Sequence, residues 1–403
     1  MSDIFDTFAS VLTKPLPKMI DQTGEFENIS PYSDEEAVKA LGIVADHPLV
    51  STASQYIFPA KPETFLRDTL KKIGSVDEFQ RVIMSKAVEW VIRSSIREFT
   101  YDGLDNLSSD HRYLALSNHR DIILDPAFTQ YVLFKNSLPQ TQIAVGDNLL
   151  KNKYIEYLIR SNRMIKVIRG INARSLYLSS QLLSKYIRQC ITSGESSIWL
   201  AQREGRTKNG LDTTEQGLLK MIDMSGGSDF VENFAELHIT PLSISYEYEP
   251  CDFLKAREVV ISKTRQYVKE HNEDMVSIFT GIKEYKGNVH LNFGKPLTRE
   301  EIVEASECSK NDRYQSIRHA VDSRVIQGYR LWKTNFMAYD LSEGGSEFAG
   351  RYSTENLLAF KDYIERRLTL IESEGLDREE LRRTLLDIYA NPVRSKKEIG
   401  AAL

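Results

Sequence analysis

No run of 18 apolar residues occurs in this chain, so no transmembrane helix is expected. Cysteine is scarce: Cys190, Cys251 and Cys308 are the only three in 403 residues, far apart and odd in number. Without a CxxC pair, neither a disulfide framework nor a thiolate zinc site is expected, and a reducing compartment fits best. The amino-terminal MSDIFDTF lacks the basic start and apolar run of a signal peptide. An excess of positive charge is missing too. The chain has 52 Lys+Arg against 57 Asp+Glu, a formal net charge of −5. That disfavours broad nucleic-acid binding, which depends on phosphate neutralisation by lysine and arginine. GxSxG, GxxxxGK(S/T), GxGxxG and HExxH are all absent, so serine-hydrolase, P-loop, Rossmann and zincin readings lack motif support. The expectation is a cytoplasmic protein, with peripheral contact at an inner membrane left open.

What is present is an ordinary globular composition, 41% hydrophobic and 10% aromatic, in a chain long enough for two or three structural units. Ser33 to Glu36 has the form of a capping box ahead of EEAVKAL, and apolar residues recur at three- and four-residue spacing through PETFLRDTLKKI and VDEFQRVIMSKAVEWVIRSSI. Residues 1–105 are therefore expected to be helical. Short β-rich runs follow at 113–117, 142–145, 165–168, 197–201, 239–246 and 289–293, with helical stretches at 148–160 and 174–190. That alternation predicts an α/β domain over 106–300, a central mixed sheet with crossover helices. Helical periodicity returns over 301–403, interrupted by the loop or linker LSEGGSEFAG at 341–350.

The segment with most chemical content is YLALSNHRDIILDPAF, 113–128. His119 follows the carboxyl end of a predicted strand, where α/β sheets place their ligands. A carboxylate a few residues on, Asp121 or Asp125, can accept the Nδ1 proton and leave Nε2 as a general base. The ordinary alternative is that His119 caps the next helix or fills a loop. SIWLAQREGRTKNG, 197–210, is a second strand followed by Glu204, Gly205, Arg206 and Lys208. Gly205 permits close backbone approach, and the basic side chains suit an oxyanion such as phosphate. Such turns are also common as solvated surface loops.

Taken in order, these segments resemble the glycerophospholipid acyltransferases, the superfamily of glycerol-3-phosphate and lysophosphatidate acyltransferases, over roughly residues 100 to 300. SNHRDIILDP resembles its NH(X)4D motif, REGR its EGTR/EGGR motif, ITPLSIS its proline-containing fourth motif, and KGNVHLNFGKPL the strand that commonly closes the domain. The chain departs by placing five residues between His119 and Asp125 and by a third motif one residue short. The GxxFxxR motif is poorly matched at RMIKVIRG, where Arg169 stands in its arginine's place. Asp125, followed by proline as in some members, is preferred over Asp121. NHRDIILD and the upstream ENISPYSDEE are similar to a cytosolic bacterial branch.

The resemblance implies acyl transfer from acyl-CoA or acyl carrier protein to a hydroxyl of glycerol 3-phosphate or lysophosphatidate. His119 would be the base and Asp125 its partner, while Arg206, Lys208 and Arg169 would hold the phosphate. Asn118, Arg120, Glu204 and Gly205 are further candidate substrate-binding residues. No cofactor or metal is implied. The alternatives are another lysolipid as acceptor, or a non-catalytic lipid- or carrier-binding module. Charge distribution adds a separate indication: residues 151–210 hold 12 Lys+Arg and 3 Asp+Glu, net +9, which suggests an anionic partner.

Overall fold

The computed structural model describes residues 24–150, 152–170, 172–270, 272–371 and 375–403; the MSDIFDTF segment lies outside the described residues. The chain enters through α1 (Asp34–Ala45), α2 (Leu49–Ile57), α3 (Phe65–Leu70) and α4 (Val76–Phe79), then a π-helical turn, Gln80–Met84, and α5 (Ser85–Ser95). The capping box forms: Ser33 Oγ accepts the Glu36 N–H at 3.3 Å, and Glu36 Oε2 accepts the Ser33 N–H at 2.8 Å. These helices bury a cluster that includes Ala37, Leu41, Phe79 and Ile83, with Tyr157 reaching in from the α/β domain.

One sequence expectation is corrected here. Ile96–Asp102, read as the tail of the helical region, is a strand, β1, and part of the main sheet. Its apolar signal is weak because it is an edge strand whose only buried residue is the first. The sheet therefore begins ahead of residue 106.

The chain continues with β2 (Leu114–Ser117), α6 (Leu124–Lys135), β3 (Gln142–Gly146), α7 (Lys153–Arg160), β4 (Met164–Val167), α8 (Ala173–Thr192) and β5 (Ile198–Ala201). Next come α9 (Gln216–Asp223), α10 (Phe230–Ala235), β6 (Thr240–Tyr246), α11 (Asp252–Thr264), α12 (Glu273–Lys283) and β7 (Gly287–Phe293). Spatial order is β1-β7-β6-β2-β5-β3-β4, with β6–β7 antiparallel and the other pairs parallel. Alternation along a strand sends side chains to opposite faces. Leu114, Leu116, Ile198 and Leu200 join one core, whereas Ala115 and Trp199 join the core on the other face. Helices cover both faces, which is why β2 and β6 are continuously buried runs. Truncating one such residue, as in Leu116→Ala, costs about 2–5 kcal/mol.

The carboxyl-terminal part is helical: α13 (Arg299–Ser306), α14 (Asp312–Gly328), α15 (Lys333–Glu343), α16 (Thr354–Thr369) and α17 (Arg378–Glu398). Helix α15 runs three residues into the segment read as a linker. Ala256 and Val260 of α11 share a buried cluster with Met337, Phe360, Ile364, Leu385 and Ile388, which docks these helices on the sheet domain. No helix among the described residues is long and apolar enough to cross a membrane.

Candidate active site

Strand β2 lies between β5 and β6, and its carboxyl end delivers residues 118–121 to the crevice where the chain leaves the sheet centre. Asn118 ties that end down. Its Oδ1 accepts the Ile244 N–H at 2.8 Å, and its Nδ2 donates to the Ile244 carbonyl and to Asp212 Oδ2, both at 3.0 Å. The turn then leads into α6, whose first turn carries Asp125, 1% exposed.

Asp125 is the carboxylate that reaches the histidine. Its Oδ2 accepts His119 Nδ1 at 2.9 Å and the Arg120 and Asp121 N–H groups at 2.5 and 2.9 Å, and its Oδ1 accepts the Tyr246 hydroxyl at 2.7 Å. A carboxylate beside Nδ1 places the proton there and leaves the Nε2 lone pair free. Nε2 has no hydrogen-bond partner among the described residues, and the ring meets Trp199 edge-on at 5.8 Å. Burial and the charges of Asp125 and Asp121 push the Tyr246 hydroxyl far up, so it stays a donor. Asp121 turns away: its Oδ1 accepts the Ile123 and Leu124 N–H groups at 2.9 and 2.8 Å. Burial and the nearby Asp125 charge push its carboxyl up.

The segment after β5 closes over this turn, the Thr207 N–H donating to the His119 carbonyl at 2.8 Å. Here the sequence-predicted residues separate. Arg169 and Glu204 pair at 2.9 Å in a half-exposed contact. Gly205 has φ +70°, and a Cβ there would meet nothing within 4 Å, so the position asks for glycine by conformation and not by close approach. Lys208 pairs with Glu258. Burial, with the charge of Arg206, nevertheless holds its ammonium down to about 8. Arg206 is 7% exposed, has no hydrogen bond or ion pair among the described residues, and leaves Nη1 buried. Its charge is felt at Asp121, Lys208, Cys251 and Asp274, which sets it beside the histidine turn.

Two expected substrate-binding residues are placed otherwise. Asn118 and Arg120 are both 0% exposed. The Arg120 guanidinium donates to Asp212 Oδ2 at 2.6 Å, to the Gly210 carbonyl at 3.2 Å and to Glu249 Oε2 at 3.4 Å, and it lies over the Tyr329 ring. Lys255 completes the group, donating to Glu249 Oε1 and to the Arg120 carbonyl at 2.7 Å. Both side chains are buried among protein partners, with Arg120 Nε alone left without one. Tyr246, Asp212 and Trp199 were missed from sequence. Tyr246 lies in the proline-containing strand that had been singled out, but nothing in its spacing pointed to Asp125.

The basic block is also corrected. Lys153, Arg160 and Lys166 pair with Glu156, Arg163 with Asp77, Arg169 with Glu204, Lys185 with Glu25, Arg188 with Glu236 and Lys208 with Glu258. Among its described residues, Arg174, Arg203 and Arg206 alone have no ion pair. Four of these partners, Asp77, Glu25, Glu236 and Glu258, lie outside the block, so its net +9 is partly neutralised by distant acids and does not by itself mark an anion-binding surface.

Buried side-chain atoms without a protein partner concentrate here: Trp199 Nε1, both polar atoms of Gln202, Arg203 Nε, Arg206 Nη1, Asp212 Oδ1, Thr214 Oγ1 and Asp121 Oδ2. Leaving such a group unmatched costs about 1–3 kcal/mol, so the segment after β5 holds polar atoms that water or a ligand would satisfy.

Residues 98–245, which contain His119, Asp125, Arg206 and Asp212, match the Acyltransferase family model. The chain is similar to glycerol-3-phosphate acyltransferases beyond that segment as well. It is 23% identical over 330 residues to the glycerol-3-phosphate acyltransferase of Pseudomonas syringae pv. tomato, covering 80% of this chain and 36% of that one. It is 24% identical over 303 residues to the glycerol-3-phosphate acyltransferase of Pseudomonas fluorescens, covering 74% and 32%. The chain thus spans about a third of the length of the curated relatives it matches. Among solved structures, the 1-acyl-sn-glycerophosphate (LPA) acyltransferase PlsC from Thermotoga maritima aligns at TM-score 0.37 and 13% identity, over 72% of this chain and 94% of that one.

Proposed function

We propose that this protein moves a fatty acyl chain from an acyl-thioester to a hydroxyl of glycerol 3-phosphate or lysophosphatidate. The observation that carries the reading is the His119 Nδ1–Asp125 pair at 2.9 Å, which leaves Nε2 unengaged. Nε2 takes the acceptor hydroxyl proton as that oxygen attacks the thioester carbonyl. The tetrahedral intermediate then collapses, the C–S bond breaks, and the leaving thiolate takes the proton back from the imidazolium. Asp125 holds the ring and stabilises its cationic form, while Tyr246 and the Arg120 and Asp121 N–H groups hold Asp125. Arg206 and Lys208 bind the acceptor phosphate through charge-assisted hydrogen bonds, which fixes the hydroxyl near Nε2.

The test is an acceptor panel with one long-chain acyl-CoA, scored for thiol release. Release should require glycerol 3-phosphate or lysophosphatidate, and His119→Ala should lower it by about 10²–10⁴-fold. Turnover on another lysolipid alone would move the acceptor class. Turnover unaffected by His119→Ala would remove the mechanism.

A further inference from the structure

We propose that Asp212, ninety-odd residues from the histidine motif in the chain, is a positioning residue for His119, and that helix α17 acts in this by holding the loop that carries Asp212. The inference rests on the reading of His119 as the base.

The geometry is a bracket. Asp212 Oδ2 accepts from Asn118 Nδ2 at 3.0 Å and from Arg120 Nη2 at 2.6 Å, so the residues on both sides of His119 end on one oxygen. The same loop takes the backbone of His119 itself, through the Thr207 N–H. A residue whose two neighbours and own carbonyl are all held by one segment follows that segment. Arg120 in turn donates its N–H to Asp125, so a shift of the Arg120 anchor moves the acceptor of the Nδ1 proton as well.

The loop is backed from the carboxyl-terminal helices. Gly210 has φ +80°, and a Cβ there would sit 2.2 Å from the Ile388 carbonyl oxygen of α17, so the two backbones touch. Asn391 Nδ2 of α17 donates to the Asn209 carbonyl at 2.7 Å, and Tyr329, after α14, lies 4.9 Å from the Arg120 guanidinium. The carboxyl-terminal region thereby presses the 207–212 loop onto the residues flanking His119. A bond that only stabilises the fold would lower stability without altering the histidine. A positioning bond alters the histidine, because a misplacement of about 1 Å at a reacting group can cost on the order of 10²-fold.

The test uses the full chain and two readouts. One is thiol release from a long-chain acyl-CoA with glycerol 3-phosphate. The other is a pH titration of the histidine rings by NMR, with His119 assigned by its loss in His119→Ala. Asp212→Asn should lower kcat by about 10–100-fold with little change in acceptor KM, and should displace the His119 titration. Asn391→Ala, which loosens the loop from α17 and leaves the ionic group whole, should shift both in the same direction by a smaller factor, and it decides the matter if Asp212→Asn fails to fold. Asp223→Asn is the control. Asp223 accepts from Asn233 and Tyr314, neither on the 207–212 loop nor on α17, so its loss should lower thermal stability and leave His119 unmoved. An unchanged His119 titration in Asp212→Asn, or an equal change in Asp223→Asn, overturns the proposal. If the wild-type chain acylates no acceptor, the proposed function fails, while the NMR comparison still decides whether Asp212 positions His119.

Discussion

The turn after β2 and the segment after β5 meet at one site and are built in opposite ways. In the first, Asn118, Arg120 and Asp125 are buried with specific partners, the Asp125 carboxylate alone accepts four hydrogen bonds, and only Arg120 Nε and Asp121 Oδ2 are buried without one, so the network is close to saturated. In the second, Gln202, Arg203, Arg206 and Thr214 carry buried polar atoms with no protein partner. A saturated network holds a geometry, since each bond removes freedom from the next. An unsaturated one is stabilised by whatever supplies the missing partners. On the proposed function, residues 118–125 orient the base and residues 202–214 receive the polar substrate.

The sharpest way to break this comparison is Asp125→Asn. The amide keeps the volume but removes the charge that holds the ring, so turnover should drop by about 10²–10⁴-fold, and Asp121→Asn, whose carboxylate caps its own turn, should leave turnover close to wild type. Equal losses in the two variants would show that the saturated turn acts as a block and not through one carboxylate.

Next in size is a pair of arginine truncations. Arg120→Ala leaves Asp212 buried without its cation and Glu249 with Lys255 alone, and should destabilise the fold by about 3–5 kcal/mol, read in chemical denaturation. Arg206→Ala removes a guanidinium with no internal partner, so stability should hold or improve. Acceptor KM should instead rise by about 10–100-fold, the value of one or two hydrogen bonds to a charged group. Reversal of these two phenotypes would exchange the roles given to the two segments.

The smallest expected effect is on pH. Lys208 is held down to about 8, so its charge is present below that pH and is lost above it. Acceptor KM should be flat below pH 8 and climb a few-fold above it, in steady-state kinetics. Stability moves the other way. The unfolded lysine keeps its proton to its ordinary value of 10.5, so between 8 and 10.5 the unfolded chain binds more protons and raising the pH favours the fold. A loss of affinity in that window is therefore not unfolding.

Much of this was legible in the sequence, and what was not has identifiable causes. Strands β2 to β7 read correctly because each carries a short apolar run, all but β4 lying inside the sheet, and the place of His119 at a strand's carboxyl end read correctly because it follows one of them. Strand β1 did not, since an edge strand with one buried residue carries little apolar signal. Arg120 looked like a substrate contact because an arginine beside a histidine motif has the same letters whether it points outward or into a buried ion group. The basic block looked like an anion-binding surface because Asp77, Glu25, Glu236 and Glu258, which neutralise it, are distant along the chain.

The sequence by itself determined the α/β class, the helical flanks, the motif order and the pair of carboxylates that could serve His119. All of these depend on local pattern, on apolar periodicity and on residues within six positions of one another. Tertiary structure alone decided that Asp125 and not Asp121 faces the ring, that Arg206 is left free while Arg120 is not, and that Asp212 and the carboxyl-terminal helices bear on the histidine turn. Those outcomes are matters of hydrogen-bond direction and of which distant groups share a buried space, and only the folded chain brings such groups within 3 Å.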